Sequence, residues 1–181
     1  MTRRQMLLTS ACGFAIAALA TSFAGRSALA IGPDQEQAEL ANVLSGVKVS
    51  LQQGFTASER EGQPISGKFE VDNGKLQLSV YTAKEGNFFE VIVDHMTGTV
   101  AKVEPITEGE DLAHAKSQKA AMDRAKVKLA DAATKAKGQV KGEATDVLVV
   151  SAVPELKDDH PVAAVVLLQG KKFSTASEPL E

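Results

Sequence analysis

The chain has no tryptophan, one tyrosine (Tyr81) and one cysteine (Cys12) in 181 residues. Aromatic residues make up 4% of it, too few for the stacked platforms that hold bases or sugar rings. Cys12 lies in an N-terminal apolar segment. The remainder therefore has no disulfide, no thiol nucleophile and no thiolate zinc site. The three histidines, His95, His114 and His160, are scattered, and none has the H-E-x-x-H spacing of a metalloprotease. No serine sits in a G-x-S-x-G elbow, and no Gly-rich phosphate loop occurs. Paired carboxylates stand only in hydrophilic turns and helix starts, where nothing would raise a carboxyl pKa for acid chemistry. These absences together predict a protein that is not an enzyme.

Residues 1–30 read as a cleaved export signal. Arg3 and Arg4 form a short positive region, residues 7–20 are apolar and Ala-rich, and Ala28-Leu29-Ala30 fits a small-x-small cleavage site before Ile31. Thr9, Ser10 and Gly13 interrupt the apolar run. A retained anchor needs about 20 strongly apolar residues, so no stable membrane anchor is expected after cleavage. Thr2-Arg3-Arg4-Gln5-Met6-Leu7 resembles a twin-arginine signal with Met6 where that signal prefers Phe. General secretory and twin-arginine export both stay open, and either predicts a periplasmic protein. Cys12 lacks the preceding Leu or Val of a lipoprotein signal, so lipidation is not expected. Without the three arginines of the signal, 17 basic residues face 23 acidic ones, a formal charge of −6. That surface disfavours nucleic acid and anionic lipid, and mildly favours cations or basic partners.

Elements follow in the same order twice. In residues 34–105, Asp34 and Gln37 have N-cap spacing, and Leu40, Val43, Leu44, Val47 and Leu51 form one helical stripe that Gly54 is expected to end. Residues 56–64 read as a loop. A strand over 65–71 leads through Asp72-Asn73-Gly74, a hairpin turn, into the alternating run Leu76, Leu78, Val80 against Gln77, Ser79, Tyr81. Strands over 88–94 and 99–103 complete the unit, with turns at 84–87 and at Thr97-Gly98. In residues 107–181, Thr107 and Glu110 have capping-box spacing at the head of one long helix to Lys137. Strands over 145–153, 161–168 and 173–176 follow, turning at Asp158-Asp159-His160 and Gly170-Lys171. The run Val162 to Leu168 is continuously apolar, which predicts a central strand covered on both faces. The expected fold class is α+β: two helix-plus-antiparallel-sheet repeats packed as one body.

The segment Gly86 to Val100, GNFFEVIVDHMTGTV, carries the most specific signal. Its string E-V-x-V-D-x-x-T-G-x-V, formed by Glu90, Val91, Val93, Asp94, Thr97, Gly98 and Val100, resembles the signature of PepSY domains. The likeness covers roughly residues 67–103, and the second half is read as a degenerate copy. PepSY domains are small α+β modules of secreted and envelope proteins, and they are thought to restrain peptidases or bind other proteins. The resemblance implies a periplasmic protein partner, such as a peptidase, restrained in trans. Glu90, Asp94, Thr97 and Gly98 enter as structural residues: turn-closing hydrogen-bonders and a positive-φ glycine.

Two functions follow as expectations. The first is protein binding, at the sheet edges and the wet sheet face around Gln77, Ser79 and Tyr81. The second is binding of a hard cation, calcium or a lanthanide, by the acidic clusters Glu108, Glu110, Asp111 and Asp158, Asp159. Against the second stands the absence of a D-x-D-x-D-G loop, and the ordinary role of acids at helix N-termini.

Overall fold

The hairpin signals form the turns they predict. Asn73-Gly74 (φ 49° and 74°), Glu85-Gly86 (53° and 80°) and Asp158-Asp159 (50° and 66°) are left-handed at both central positions, as type I′ turns require. Gly170-Lys171 is left-handed at Gly170 alone (61°), the pattern of type II′. The computed structural model describes residues 33–141 and 146–181, with side chains from Gln37 onward, all within one compact unit. The expected signal segment lies outside the described residues, as do the side chains of Asp34 and Thr145.

These turns connect β1 (Gln63–Asp72), β2 (Lys75–Lys84), β3 (Asn87–Val93), β4 (Val100–Ile106), β5 (Val147–Lys157), β6 (His160–Gln169) and β7 (Lys172–Pro179). The strands form one seven-stranded antiparallel sheet in the order β4-β3-β2-β1-β5-β6-β7. β1 and β5 join its two sides through the pairs Gly67↔Ala152 and Lys68↔Ser151. With four helices, α1 (Pro33–Leu44), α2 (Leu51–Ser58), α3 (Gly109–Arg124) and α4 (Leu129–Gly138), the chain is α+β.

Both long helices expected from the sequence are broken in two. The first breaks after Leu44, and the chain restarts under a capping box: the Ser50 N–H donates to Gln53 Oε1 (2.8 Å), and the Gln53 N–H donates to Ser50 Oγ (3.2 Å). Ahead of that box, the Lys48 and Val49 N–H groups donate to the His95 carbonyl (3.1 and 3.2 Å). The second breaks at Ala125, where the Lys126 and Val127 N–H groups donate to the Leu180 carbonyl (2.6 and 3.0 Å). A carbonyl from a distant strand end thus replaces the intrahelical acceptor each time. Gly54 does not stop a helix but lies inside α2, where a Cβ would stand 2.9 Å from Leu78 Cδ2. Glu108, not Thr107, is the N-cap of α3, and it makes no side-chain cap bond.

Helices cover both faces of the sheet. Gly67 looks at Phe55 and Leu51 of α2, and the neighbours on its face, Phe69, Leu78, Val80, Val91 and Val93, are all buried. Ala152, paired with Gly67, continues this face into Val165 and Ala163 under α4. α2 and α4 lie side by side, linked by Gln52 Nε2 donating to Thr134 Oγ1 (3.4 Å) and by Lys128 Nζ near Glu59 Oε1 (3.7 Å). Ser66 points the other way, and its hydroxyl donates to Gln118 Oε1 of α3 (2.6 Å). β6 is indeed covered on both faces, by α3 and α4, but it is one strand in from the edge; the central strand is β1.

Candidate functional site

Period-two alternation turns a second set of β1–β3 side chains away from α2, and most of these are polar, with Ala83, Phe88 and Ile92 the exceptions. Lys68 stands opposite Ser79, Glu70 opposite Gln77, and Tyr81 opposite Glu90. Their side chains form a connected network. Lys68 Nζ lies 2.6 Å from Glu70 Oε2, and Ser79 Oγ donates to Glu70 Oε1 (2.9 Å). Gln77 Nε2 donates to Ser79 Oγ (2.9 Å) and to Glu90 Oε1 (3.4 Å). Lys68 Nζ also lies 5.8 Å from the centre of the Tyr81 ring, within cation–π reach.

The network is half out of water. The side chains of Lys68 and Glu70 are only 18% and 26% exposed, and Ser79 is fully buried. Burial pushes the Glu90 carboxyl above its ordinary value; the Ser79 hydroxyl beside it opposes this, and the nearby charge of Glu70 adds to it. Burial also raises the Tyr81 phenol, against the pull of Lys68. Partly desolvated charges cost stability unless each is paired, which makes such a cluster the first place to look for function. On β5 and β6 the same face carries Val153, Val162, Ala164 and Val166 beneath α3, with Ser151 and Glu155 as its polar positions. The connected network therefore lies on β1–β3.

One ammonium, two carboxylates and an amide can meet a peptide segment or a charged side chain with both donors and acceptors. Nucleophilic chemistry is not available to Ser79, whose hydroxyl is enclosed and committed to Glu70. Glu90→Gln is expected to raise the melting temperature at pH 7 and leave it nearly unchanged at pH 4. The folded-state pKa is raised, so the native state holds its proton more tightly, and the ionised carboxylate weakens folding as pH rises above 4.5. Glutamine keeps the oxygen that accepts from Gln77 and removes a charge opposite Glu104. Thermal melts at the two pH values check this; a lower melting temperature at pH 7 would show that the charge stabilises the fold.

Asp94 closes the turn after β3. Asp94 Oδ1 accepts from the Met96 and Thr97 N–H groups (both 2.8 Å), which hold the carboxyl below its ordinary range. The Gly98 N–H donates to the Asp94 carbonyl (2.8 Å), and Gly98 takes φ 77°. Thr97 Oγ1 lies 2.9 Å from Thr99 Oγ1. The His95 ring is half-buried, and its Nδ1 has no partner. His114 is exposed, and His160 Nδ1 lies 2.8 Å from Glu181 Oε1, which raises the imidazole pKa.

The acidic clusters are not gathered into a cage. Glu108, Glu110 and Asp111 are exposed at the start of α3. Asp158 and Asp159 form an exposed hairpin tip, where Asp159 Oδ1 accepts from Arg124 Nη1 (3.0 Å). Among the described residues, no three or more His, Cys, Asp or Glu side chains come together as a metal site. The structure does gather Gln77, Ser79, Tyr81 and Glu90, and adds Lys68 and Glu70, which sequence reasoning missed. Their signal was present: Ser66, Lys68 and Glu70 alternate with Phe69 and Val71, so they share the polar side of β1. The chain matches no protein-family model, no curated protein and no solved structure. No helix among the described residues is long and apolar enough to cross a membrane.

Proposed function

We propose that the chain is an exported, non-enzymatic periplasmic protein of two PepSY-like repeats, which binds another protein through the polar face of the first. Constant spacing supports the repeats. Asn73-Gly74 recurs as Asp158-Asp159, Glu85-Gly86 as Gly170-Lys171, and the His95 carbonyl as that of Leu180, each 85 positions on (158 − 73). The irregularity before Ser66 in β1 recurs before Ser151 in β5, at the same spacing.

One observation carries the functional reading: the half-buried network of Lys68, Glu70, Ser79, Gln77 and Glu90 is connected in the first repeat, whereas in the second Val153, Ala164 and Val162 stand where Lys68, Ser79 and Gln77 do, leaving only Glu155 and Thr175 polar at the corresponding positions. A fold that needed only a core would use the second solution twice. The partner is a periplasmic protein, and a peptidase restrained in trans fits the family likeness. The test is a pull-down from periplasmic extract with the natural protein and with Lys68→Ala/Glu70→Ala, whose fold is first checked by a melt. The expected result is a specific protein held by the natural chain and lost by the variant. No specific protein, or equal recovery by both, overturns the reading.

The second reading, a binder of calcium or a lanthanide, has one observation in its favour. Glu70 and Glu104 both repel charge on Glu90, Lys68 offsets part of that repulsion, and a bound cation would relieve the rest. Such a ligand at a hundredfold excess over Kd stabilises the native state by about 2.7 kcal/mol. A melting temperature raised by calcium or lanthanide, and not by sodium chloride of equal ionic strength, would favour this reading over the first.

A further inference from the structure

The two edges of the sheet are not alike. In a two-residue hairpin the pair flanking the turn exchanges both hydrogen bonds, and bonding alternates from there. Counted from Gln169↔Lys172, the residues of β7 whose N–H and C=O point outward are Phe173, Thr175 and Ser177. Counted from Lys84↔Asn87, the outward residues of β3 are Phe88, Glu90 and Ile92, and these are the ones paired with Ile106, Glu104 and Lys102 of β4. Phe173, Thr175 and Ser177 lie 85 positions after them. β7 therefore presents the row of groups that β3 uses to hold β4, yet no strand lies beyond β7 among the described residues.

The outer edge of β4 is guarded. Its outward positions are Ala101, Val103 and Pro105; the proline offers no N–H, and Lys102 Nζ pairs with Glu104 Oε1 (2.8 Å) along the strand. β7 has no such defence between Phe173 and Ser177, where Phe-Ser-Thr-Ala-Ser carries no charge and no proline.

We propose that β7 pairs with β7 of a second copy of this chain, across a two-fold axis at Thr175, extending the sheet through the dimer. The outward residues then bond Phe173 to the partner's Ser177 and Thr175 to the partner's Thr175. In the same register Lys172 falls beside the partner's Glu178, whose carboxylate is buried and paired with Lys135 Nζ of its own chain (3.1 Å), so no like charges are set against each other at the ends of the joint. Small side chains, Ser174 and Ala176, meet on the helix-bearing face. A two-fold joint closes on itself, whereas β7 against β4 of another copy would polymerise and would meet Pro105. This inference is independent of the partner proposed for the polar face.

The test uses the full chain with Cys12→Ser and one added cysteine. Directly opposed residues of a hydrogen-bonded antiparallel pair have Cα atoms about 5.5 Å apart, within the span of a disulfide. Thr175→Cys should therefore form a covalent dimer under mild oxidation roughly tenfold faster than Val103→Cys on the other edge, through its higher effective concentration. Sedimentation should give twice the chain mass for the natural protein and the single-chain mass for Thr175→Lys, which sets two like charges face to face. Thr175→Lys with an unchanged melting curve at low protein concentration separates lost pairing from lost folding. A natural chain that sediments as a monomer, or equal crosslinking from Thr175→Cys and Val103→Cys, overturns the proposal. So does a Thr175→Lys dimer.

Discussion

Gly67→Val is expected to cost at least about 3 kcal/mol of folding stability, the upper end of overpacking penalties. Gly67 sits mid-way along the central strand, facing α2. A Cβ there would stand 2.7 Å from Phe55 Cε1 and 3.1 Å from Leu51 Cδ1, both in fully enclosed side chains. Neither ring nor isobutyl group has room to retreat, because α2 is itself held against α4 and β2. The helix must lift, and lifting it opens the core that both halves share. Gly67→Ala should show a smaller loss of the same origin. In urea the midpoint falls while the slope holds. The double variant Gly67→Ala/Phe55→Leu should recover part of the loss, since removing the ring relieves the clash, and contacting sites couple. A loss under about 1 kcal/mol for the valine variant would mean that the strand and helix are not seated this closely.

Most strands were legible because their signals are local. Asn73-Gly74 and the alternation of Leu76, Leu78 and Val80 fix a hairpin whatever lies around it. The helix breaks were not legible, because their cause is remote. Leu40, Val43, Leu44, Val47 and Leu51 keep helical spacing straight across the break, yet Val43 is 39% exposed and Leu51 belongs to a different helix. The carbonyls that take over at the breaks come from His95 and Leu180, at strand ends far along the chain. Only the Ser50–Gln53 capping box was a local mark of the restart.

The site divides the same way. Gln77, Ser79 and Tyr81 follow from alternation within one strand. Lys68 and Glu70 look like ordinary solvated strand residues until the register sets Ser79 and Gln77 beside them. The acidic runs at Glu108–Asp111 and Asp158-Asp159 stood out in composition, but composition does not bring residues together. Both lie where acids stay in water, one at a helix start and one at a hairpin tip.

Gly98→Val should lower stability by about 1–3 kcal/mol, the usual cost of a β-branched residue held in the left-handed region. Gly98 takes φ 77°, and a side chain there would meet Val49 at 3.6 Å, an ordinary contact. The loss therefore comes from the backbone and not from crowding. Relaxing φ would pull the Gly98 N–H from the Asp94 carbonyl and disturb His95, whose carbonyl anchors Lys48 and Val49 ahead of α2. At this chain length each kcal/mol moves the melting temperature by about 2–4 °C. Two controls separate the causes. Gly98→Asn should lose much less, because asparagine tolerates positive φ. Asp159→Gly should stay near the natural protein: it relieves a left-handed aspartate (φ 66°) while giving up an exposed pair with Arg124, worth about 0–1 kcal/mol. If valine and asparagine at position 98 lose equally, crowding or a lost contact is responsible; if Asp159→Gly loses as much as Gly98→Val, the second hairpin tip holds the fold as firmly as the Asp94 turn.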